Sequence, residues 1–340
     1  MGLIGFWTQL WEAVVREMIH WGILGTGNIA TQFARGLRDA CDCELVAVGS
    51  RSIDKALHFG QEFGVGRCHG SYAALAEDPA VDVVYIGTPH PLHRDNILMC
   101  LEAGKPVLCE KPLAINAQQA QQVIALAQRK NLFLMEAMWT RFLPPIVKLR
   151  TLLDEAVVGE PRIVSADLGF AADWDPHSRL FDPALGGGCL LDVGIYPLFL
   201  ATMVLGRPCA ISGQACIGAT GVDEAAAIAL GYEGGRLACL YCSLRTRTPE
   251  HASIIGTQGH IHLYSNWWKG GPMIVRLADR SFEVNRPVVG NGYQYEANEV
   301  GHCVRAGKTQ SDMMPLDQTI SVLEIMDRLR AQWGVRYPTE

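Results

Sequence analysis

The sequence predicts an α/β protein: a doubly wound parallel sheet followed by a second, α+β domain with a large, mostly antiparallel sheet. Three observations carry this expectation. From Ile19 onward, short apolar runs alternate with amphipathic helical patterns, as in a parallel sheet covered on both faces. The first turn reads Gly25-Thr26-Gly27-Asn28-Ile29-Ala30, between a strand pattern and a helix pattern. Beyond residue 160 the chain turns to closely spaced strand-like runs, among them 161–170, 210–217, 224–232 and 236–244.

A length of 340 residues suits about two domains. Hydrophobic residues make up 49% and charged residues 19%, the balance of a folded globular chain. The net charge of −6, without any Lys/Arg run, argues against a nucleic-acid partner. Eleven cysteines, odd in number and scattered among apolar residues, suit reduced thiols in a cytoplasmic protein. Cys41 and Cys43 have no second pair at zinc-ligand spacing, so no metal site is indicated. Residues 1–17 stand apart. Ile4, Trp7, Trp11, Val14 and Met18 recur at helical spacing, but the stretch is a poor signal peptide and too short and polar to span a bilayer. It is read as an extension dispensable for catalysis, with Met18 as an alternative start.

The first-domain strands are expected at Trp21–Leu24, Leu45–Val48, Val83–Ile86, Val107–Cys109 and Leu132–Met135. In the Gly-rich turn, Gly25 permits the tight bend, Gly27 lets the backbone approach a pyrophosphate, and Ala30 lets helix and strand pack closely. The helix start faces the phosphates. This is the pattern of a dinucleotide-binding Rossmann domain, with Thr26, Asn28 and Ile29 also on the cofactor. An NAD site usually carries an acid at the end of the second strand; here Ser50-Arg51 stands there. The Arg51 fork can pair with a 2′-phosphate, and Ser50 and Ser52 can hydrogen-bond it, so NADP is expected. Asp54, close by, keeps NAD as the alternative. Two further stretches end strands on the ligand-binding edge, 87-GTPHPLH-93 and 109-CEKPL-113. They add Thr88, His90, Glu110 and Lys111 to the expected cofactor contacts. His90 is equally readable as a hydrogen-bonded strand-end residue, and His93 as structural.

The stretch 186-GGGCLLDVGIYPL-198 sets Asp192 and Tyr196 in an otherwise apolar run. Helical i,i+4 spacing would put both on one face, although Pro197 either begins the regular helix or kinks it. The Gly-rich turn, 110-EKP-112 and this segment, in that order and spacing, resemble the Gfo/Idh/MocA oxidoreductases. Residues 131-NLFLMEAMWTRFLP-144 and the tyrosine at 196 are most similar to its dimeric dihydrodiol dehydrogenase and NADP-dependent D-xylose dehydrogenase branch.

The resemblance implies a catalytic lysine at Lys111, an acid at Asp192, and Tyr196 in place of the family's usual histidine. It also implies a homodimer built on the broad sheet. Expected boundaries are 18–138 for the Rossmann domain and 139–312 for the substrate and oligomerisation domain. A helix within 313–334 is expected to return to the first domain. Further strand-like runs lie at 252–257, 260–264, 273–278 and 281–285, with Glu233-Gly234-Gly235 as a hairpin turn. Trp139, Arg141, Arg179, Trp267 and Trp268 are weaker pocket residues, with packing as the competing role.

A free phenol has a pKa of about 10, roughly three units too high for a base at neutral pH, a gap of about 4 kcal/mol. One ammonium about 4 Å away gives about 4 kcal/mol at an effective dielectric near 20, so Lys111 is expected to supply most of the shift. Asp192 would raise the phenol's pKa, so it is expected nearer Lys111 or the substrate. The expected activity is NADP-dependent hydride transfer to or from a secondary alcohol of a sugar such as D-xylose, or of a cyclic trans-dihydrodiol. An NAD-dependent cyclitol dehydrogenase and a non-catalytic dinucleotide sensor are the alternatives. No membrane partner is expected.

Overall fold

The computed structural model describes residues 18–340. The amphipathic reading of residues 1–17 lies outside them.

The first half runs β1 (Ile19–Leu24), α1 (Asn28–Leu37), β2 (Cys43–Gly49), α2 (Ile53–Phe63), β3 (Arg67–His69), α3 (Tyr72–Ala76), β4 (Val83–Ile86), α4 (His93–Glu102), β5 (Val107–Glu110), α5 (Ala117–Lys130) and β6 (Leu134–Ala137). Its six strands are all parallel, in the order β3-β2-β1-β4-β5-β6. Strands β4, β5 and β6 are buried at every residue, which is why they read as unbroken apolar runs rather than alternations. Helix α1 turns Ala30, Phe33, Ala34 and Leu37 inward. Phe33 stacks on Tyr85 at 3.7 Å and meets the edge of Trp21 at 5.3 Å. Burial of such a side chain contributes about 1.5–3 kcal/mol. The strand order reverses between β1 and β4, and a ligand crevice opens outside their carboxyl ends.

Two local differences from the sequence expectation have clear causes. Strand β3 escaped notice because its three residues, Arg-Cys-His, carry no apolar run. Strand β6 starts at Leu134 rather than Leu132 because Asn131, left-handed at φ 51°, ends α5 and hands the next residues to the connecting turn.

The second half continues with α6 (Pro144–Asp154), β7 (Pro161–Gly169), α7 (Ile195–Leu205), β8 (Ala210–Ile217), β9 (Asp223–Tyr232), β10 (Arg236–Ser243), β11 (Ala252–Gly256), β12 (Gly259–Leu263), β13 (Met273–Leu277), β14 (Ser281–Val284), α8 (Tyr293–Arg305) and α9 (Leu316–Trp333). Eight strands form one sheet, ordered β14-β13-β12-β11-β7-β10-β9-β8, antiparallel except where β10 joins β7. The hairpin at Glu233–Gly235 is present, with Gly234 at φ 72°. Alternation is clean along β10: Ala238, Leu240 and Cys242 face the core, and Leu237, Cys239 and Tyr241 face out.

Helix α7 packs against β7 and β10 on the core face. The run Pro183–Leu205 is long and apolar enough to cross a membrane, with mean hydropathy 1.8, yet 89% of its apolar window is buried in protein. Helix α9 touches both halves: Thr319 donates to Glu136 of β6 at 2.8 Å, and Trp333 donates to the Gly213 carbonyl of β8 at 3.0 Å. Helix α8, within 139–312, packs on α1, where Asn291 beside it donates to the Gln32 carbonyl.

Candidate active site

The crevice begins at the Gly-rich turn. Gly25 sits at φ 106°, a region that disfavours a side chain, and an added Cβ would lie 3.0 Å from the Gly87 carbonyl oxygen. Gly27 has an ordinary backbone, and among the described residues a Cβ there would meet nothing within 4 Å. Its missing side chain is therefore not demanded by protein packing; the space belongs to the crevice. Among the described residues no side chain caps the start of α1, which leaves its first amides open to an anion.

A cavity of about 970 Å³ extends from this turn, lined by Thr26, Ser50, Arg51, Asp54 and Thr88 among others. Ser50 is buried and accepts from Thr26 at 3.5 Å. Ser52 caps α2 by accepting from the Lys55 amide, so its oxygen already serves the helix. A second cavity of about 320 Å³ shares Gly27, Gly87 and Thr88 and continues past Asn28, Ile29, His90 and Glu110 to Lys111, Arg179 and Asp192. The two form one groove with an arginine at one end and a lysine–aspartate pair at the other. The groove fits a dinucleotide: Ser50 and Arg51 would hold the far ribose and its phosphate, the turn the pyrophosphate, and Lys111 would stand at the nicotinamide end.

At that end, β5 delivers Glu110 and Lys111 to the sheet edge, and the peptide to Pro112 is cis. Lys111 Nζ donates to the main-chain oxygen of Asp192 at 2.6 Å and to its carboxylate at 3.3 Å. Arg179 reaches the same carboxylate oxygen at 2.9 Å. Burial alone would raise the Asp192 pKa, but Lys111 and Arg179 outweigh it and hold the carboxyl well below the usual carboxylate range. Burial works against the Lys111 charge, and Tyr196, Asp192 and Glu110 outweigh it, so the ammonium is retained. Glu110 is buried, accepts from the Tyr85 hydroxyl at 2.6 Å, and is pushed by burial up to about 7.

Asp192 and Tyr196 reach the site through an irregular helix. Leu190–Gly194 form a π-helical turn that runs into α7, and Pro197 falls in the first turn of that helix, where its missing N–H is tolerated. Tyr196 is 5% exposed, and its hydroxyl oxygen accepts from Trp139 Nε1 at 3.2 Å. An indole N–H cannot accept, so the tyrosine's own proton remains available to another group. Lys111 Nζ lies over the ring, 5.1 Å from its centre.

The expected lowering of the tyrosine pKa by Lys111 is not met. Burial raises it by more than Lys111 and Trp139 lower it, and the phenol stands above its ordinary value. The lysine faces the ring rather than the oxygen, and its charge is matched by Asp192.

His90 donates through Nδ1 to the Gly186 carbonyl at 3.2 Å, which leaves Nε2 as an acceptor. Burial, with His93 and Lys111 nearby, takes its pKa down to about 3. His93 is wholly buried, with its ring nitrogens 2.7 Å from the carbonyls of Thr88 and Pro112, a structural post between the two strand-end loops.

The five weaker pocket residues separate. Trp139 and Trp268 flank Tyr196, with Trp268 5.3 Å from its ring, and Arg179 lines the groove. Trp267 instead enters the core and donates to the Asp167 carbonyl at 2.9 Å. Arg141 is also buried away from the groove, paired with Gln318 of α9 and lying over Phe199. Tyr293, unremarked in the sequence, stacks on Trp139 at 4.9 Å and supports it from behind. Its only sequence signal is an aromatic residue opening a helix more than 150 positions from Trp139.

Residues 19–138 match the oxidoreductase family GFO/IDH/MocA, NAD-binding Rossmann fold, and residues 146–262 match the GFO/IDH/MocA C-terminal domain. Trans-1,2-dihydrobenzene-1,2-diol dehydrogenase from Xenopus tropicalis is 39% identical over 94% of this chain and 99% of its own. The human enzyme of that name is 35% identical over 95% and 99%. Among solved structures, aldose-aldose oxidoreductase from Caulobacter crescentus superposes with a TM-score of 0.86 at 24% identity, covering 94% of this chain and 98% of that one. A 3-ketoreductase from Actinomadura kijaniata, in complex with NADP and TDP-benzene, gives 0.82 at 25%, covering 93% and 98%. The chain belongs to the GFO/IDH/MocA oxidoreductase family.

Proposed function

We propose that this enzyme transfers hydride between NADP and a secondary alcohol carbon of a cyclic trans-dihydrodiol or related sugar, with Lys111, Asp192 and Tyr196 handling the proton. The observation that carries the reading is the meeting of these three side chains: Lys111 and Asp192 line the end of a groove that starts at a Gly-rich turn, and the Tyr196 ring lies directly under the Lys111 ammonium. The family and its 35–40% identical dihydrodiol dehydrogenases make the chain an NAD(P)-dependent dehydrogenase. The 3-ketoreductase complex and the Ser50-Arg51 pair support NADP.

The bound nicotinamide supplies the hydride acceptor or donor. The protein's own groups position the alcohol and manage its proton. Tyr196, whose raised pKa keeps it protonated at neutral pH, is suited to give a proton to a carbonyl oxygen during reduction. In oxidation the same oxygen receives the hydroxyl proton once ionised, which alkaline pH favours. Lys111 adds a fixed positive charge where oxyanion character develops, and Asp192 and Arg179 hold it in place. Trp139 and Trp268 pack around Tyr196 and keep its surroundings apolar.

The test is initial-rate reduction of NADP⁺, with NAD⁺ in parallel, over trans-1,2-dihydrobenzene-1,2-diol, D-xylose, D-glucose and myo-inositol. Turnover with NADP⁺ on the diol or xylose is expected. Tight NADP binding without turnover on any of them would favour a sensor instead.

A homodimer formed through the outer face of the large sheet belongs to the same proposal. Leu237, Ile163 and Ile255 are cross-strand neighbours on that face, at 49%, 37% and 41% exposure. Light scattering on a sizing column is expected to give twice the chain mass, and Leu237→Arg to give the monomer. Cytoplasmic residence is proposed from the eleven cysteines, all free thiols; recovery of the activity with a membrane or secreted fraction would refute it.

A further inference from the structure

The segment 334–340, which follows α9, takes no part in either sheet yet reaches the catalytic loop. Tyr337 is 4% exposed, and its hydroxyl donates to the Gly187 carbonyl at 2.6 Å. The adjacent carbonyl, Gly186, accepts from His90 on the other side of the cleft. The glycine turn is therefore held between a groove residue and this segment. Gly188 has no room for a side chain: an added Cβ would lie 2.5 Å from Asp223 Oδ1 and 3.3 Å from the Tyr337 hydroxyl. Asp223 in turn accepts from the Leu190 amide at 2.6 Å. Two buried side chains thus set the level at which the chain enters the π-helical turn that bears Asp192.

The segment is itself clasped. Glu340 accepts from Arg330 of α9 at 2.7 Å and from the Tyr337 amide at 3.0 Å. Gln119 of α5 donates to the Thr339 carbonyl at 3.0 Å. The Arg330 guanidinium also lies over the Tyr337 ring at 5.0 Å. These contacts tie the phenol to α5 and α9 rather than leaving it to follow the loop.

We propose that Tyr337 is a positioning residue for hydride transfer: through Gly187 it fixes the turn that presents the Asp192 carbonyl and carboxylate to Lys111. This rests on the proposed function for its kinetic consequence, but not for its structural one. Lys111 Nζ takes both of its Asp192 contacts from this turn, so a loosened turn shifts the ammonium and the tyrosine face beneath it. The phenol touches neither the groove nor the reacting groups, so its removal is expected to act on turnover rather than on cofactor affinity.

The test uses the full chain and Tyr337→Phe, which removes the hydroxyl and keeps the ring. Hydrogen–deuterium exchange is read with NADP bound. Peptides covering 186–192 are expected to exchange about tenfold faster in the variant, while those of β1 are unchanged. With trans-1,2-dihydrobenzene-1,2-diol and NADP⁺, kcat is expected to fall about tenfold, with little change in KM for NADP⁺. A larger primary deuterium isotope effect on kcat with the carbinol-deuterated diol is expected too. Glu340→Gln, which loosens the clasp without touching the phenol, is expected to move the same readouts in the same direction by less. Unchanged exchange at 186–192 overturns the proposal whether or not the diol is turned over. Faster exchange with wild-type kcat overturns the positioning role, and a matching loss of cofactor affinity reduces it to a general structural one.

Discussion

Lys111 donates to both the main-chain oxygen and the carboxylate of Asp192, at 2.6 and 3.3 Å, so one residue of the π-helical turn fixes the ammonium in two directions. Only 12% of the lysine side chain and 10% of the aspartate side chain are exposed. The pair is close to fully desolvated, and each charge depends on the other.

The pH dependence of stability follows from this pair. Asp192 has a lowered pKa in the folded state, so its contribution is fully present above the ordinary carboxylate value of about 3.9 and is lost as pH falls towards the folded value. Asp192→Asn is expected to destabilise the protein by about 3 kcal/mol near neutral pH, because Lys111 is left without its partner. The gap between the thermal midpoints of wild type and variant is expected to hold from pH 7 to about 4 and to narrow as pH falls below that. A gap that stays constant with pH would mean that the carboxylate charge is not what stabilises the turn.

The two glycines of the first turn separate folding from binding. Gly25→Ala places a side chain at φ 106° against the Gly87 carbonyl and is expected to cost about 1–3 kcal/mol of stability. Gly27→Ala has open space and an ordinary backbone, so its melting temperature is expected to match wild type. The Gly27→Ala methyl would occupy pyrophosphate space and raise the Kd for NADP by about tenfold or more. Equal cofactor affinity in the Gly27 variant would place the phosphates elsewhere.

Cofactor choice turns on Arg51. Arg51→Ala removes charge-assisted hydrogen bonds worth about 1.5–3 kcal/mol, or roughly 10–150-fold in NADP affinity. NAD affinity is expected to change little, since it carries no 2′-phosphate. Fluorescence titration with both reduced cofactors reads the difference directly; parallel losses for the two would assign Arg51 to the adenine or ribose instead.

Much of the fold was legible because its signals are local. The eight strands of the second sheet fall within about a residue of their sequence patterns, since alternation along β10 and the glycine hairpin before it announce themselves. Lys111 and Asp192 were legible for another reason: a charge at a strand end or inside an apolar run needs a partner. What escaped depends on tertiary direction. Trp267 and Trp268 are neighbours in sequence, yet one enters the core and the other packs against Tyr196, at a turn with Asn266 at φ 63°. Arg141 follows a cleft strand, but the short turn at Trp139–Phe142 carries it round to α9. The tyrosine pKa departs from the expectation because burial of the phenol outweighs the lysine's charge. Asp192 stands beside Lys111 as its residue type leads one to expect, but the burial of the phenol can be known only from the packing.

The most direct test of proton transfer at Tyr196 is the pH profile of kcat/KM for diol oxidation by NADP⁺, taken for wild type, Tyr196→Phe and Lys111→Met. Wild-type activity is expected to rise from neutrality towards and beyond pH about 10, because the phenol must ionise from a raised pKa. Both variants are expected to lose about 10²–10⁴ in rate, with NADP binding retained and the alkaline rise absent from Tyr196→Phe. A Tyr196→Phe enzyme that keeps the wild-type rate and the same alkaline rise would contradict the assignment of the proton to Tyr196.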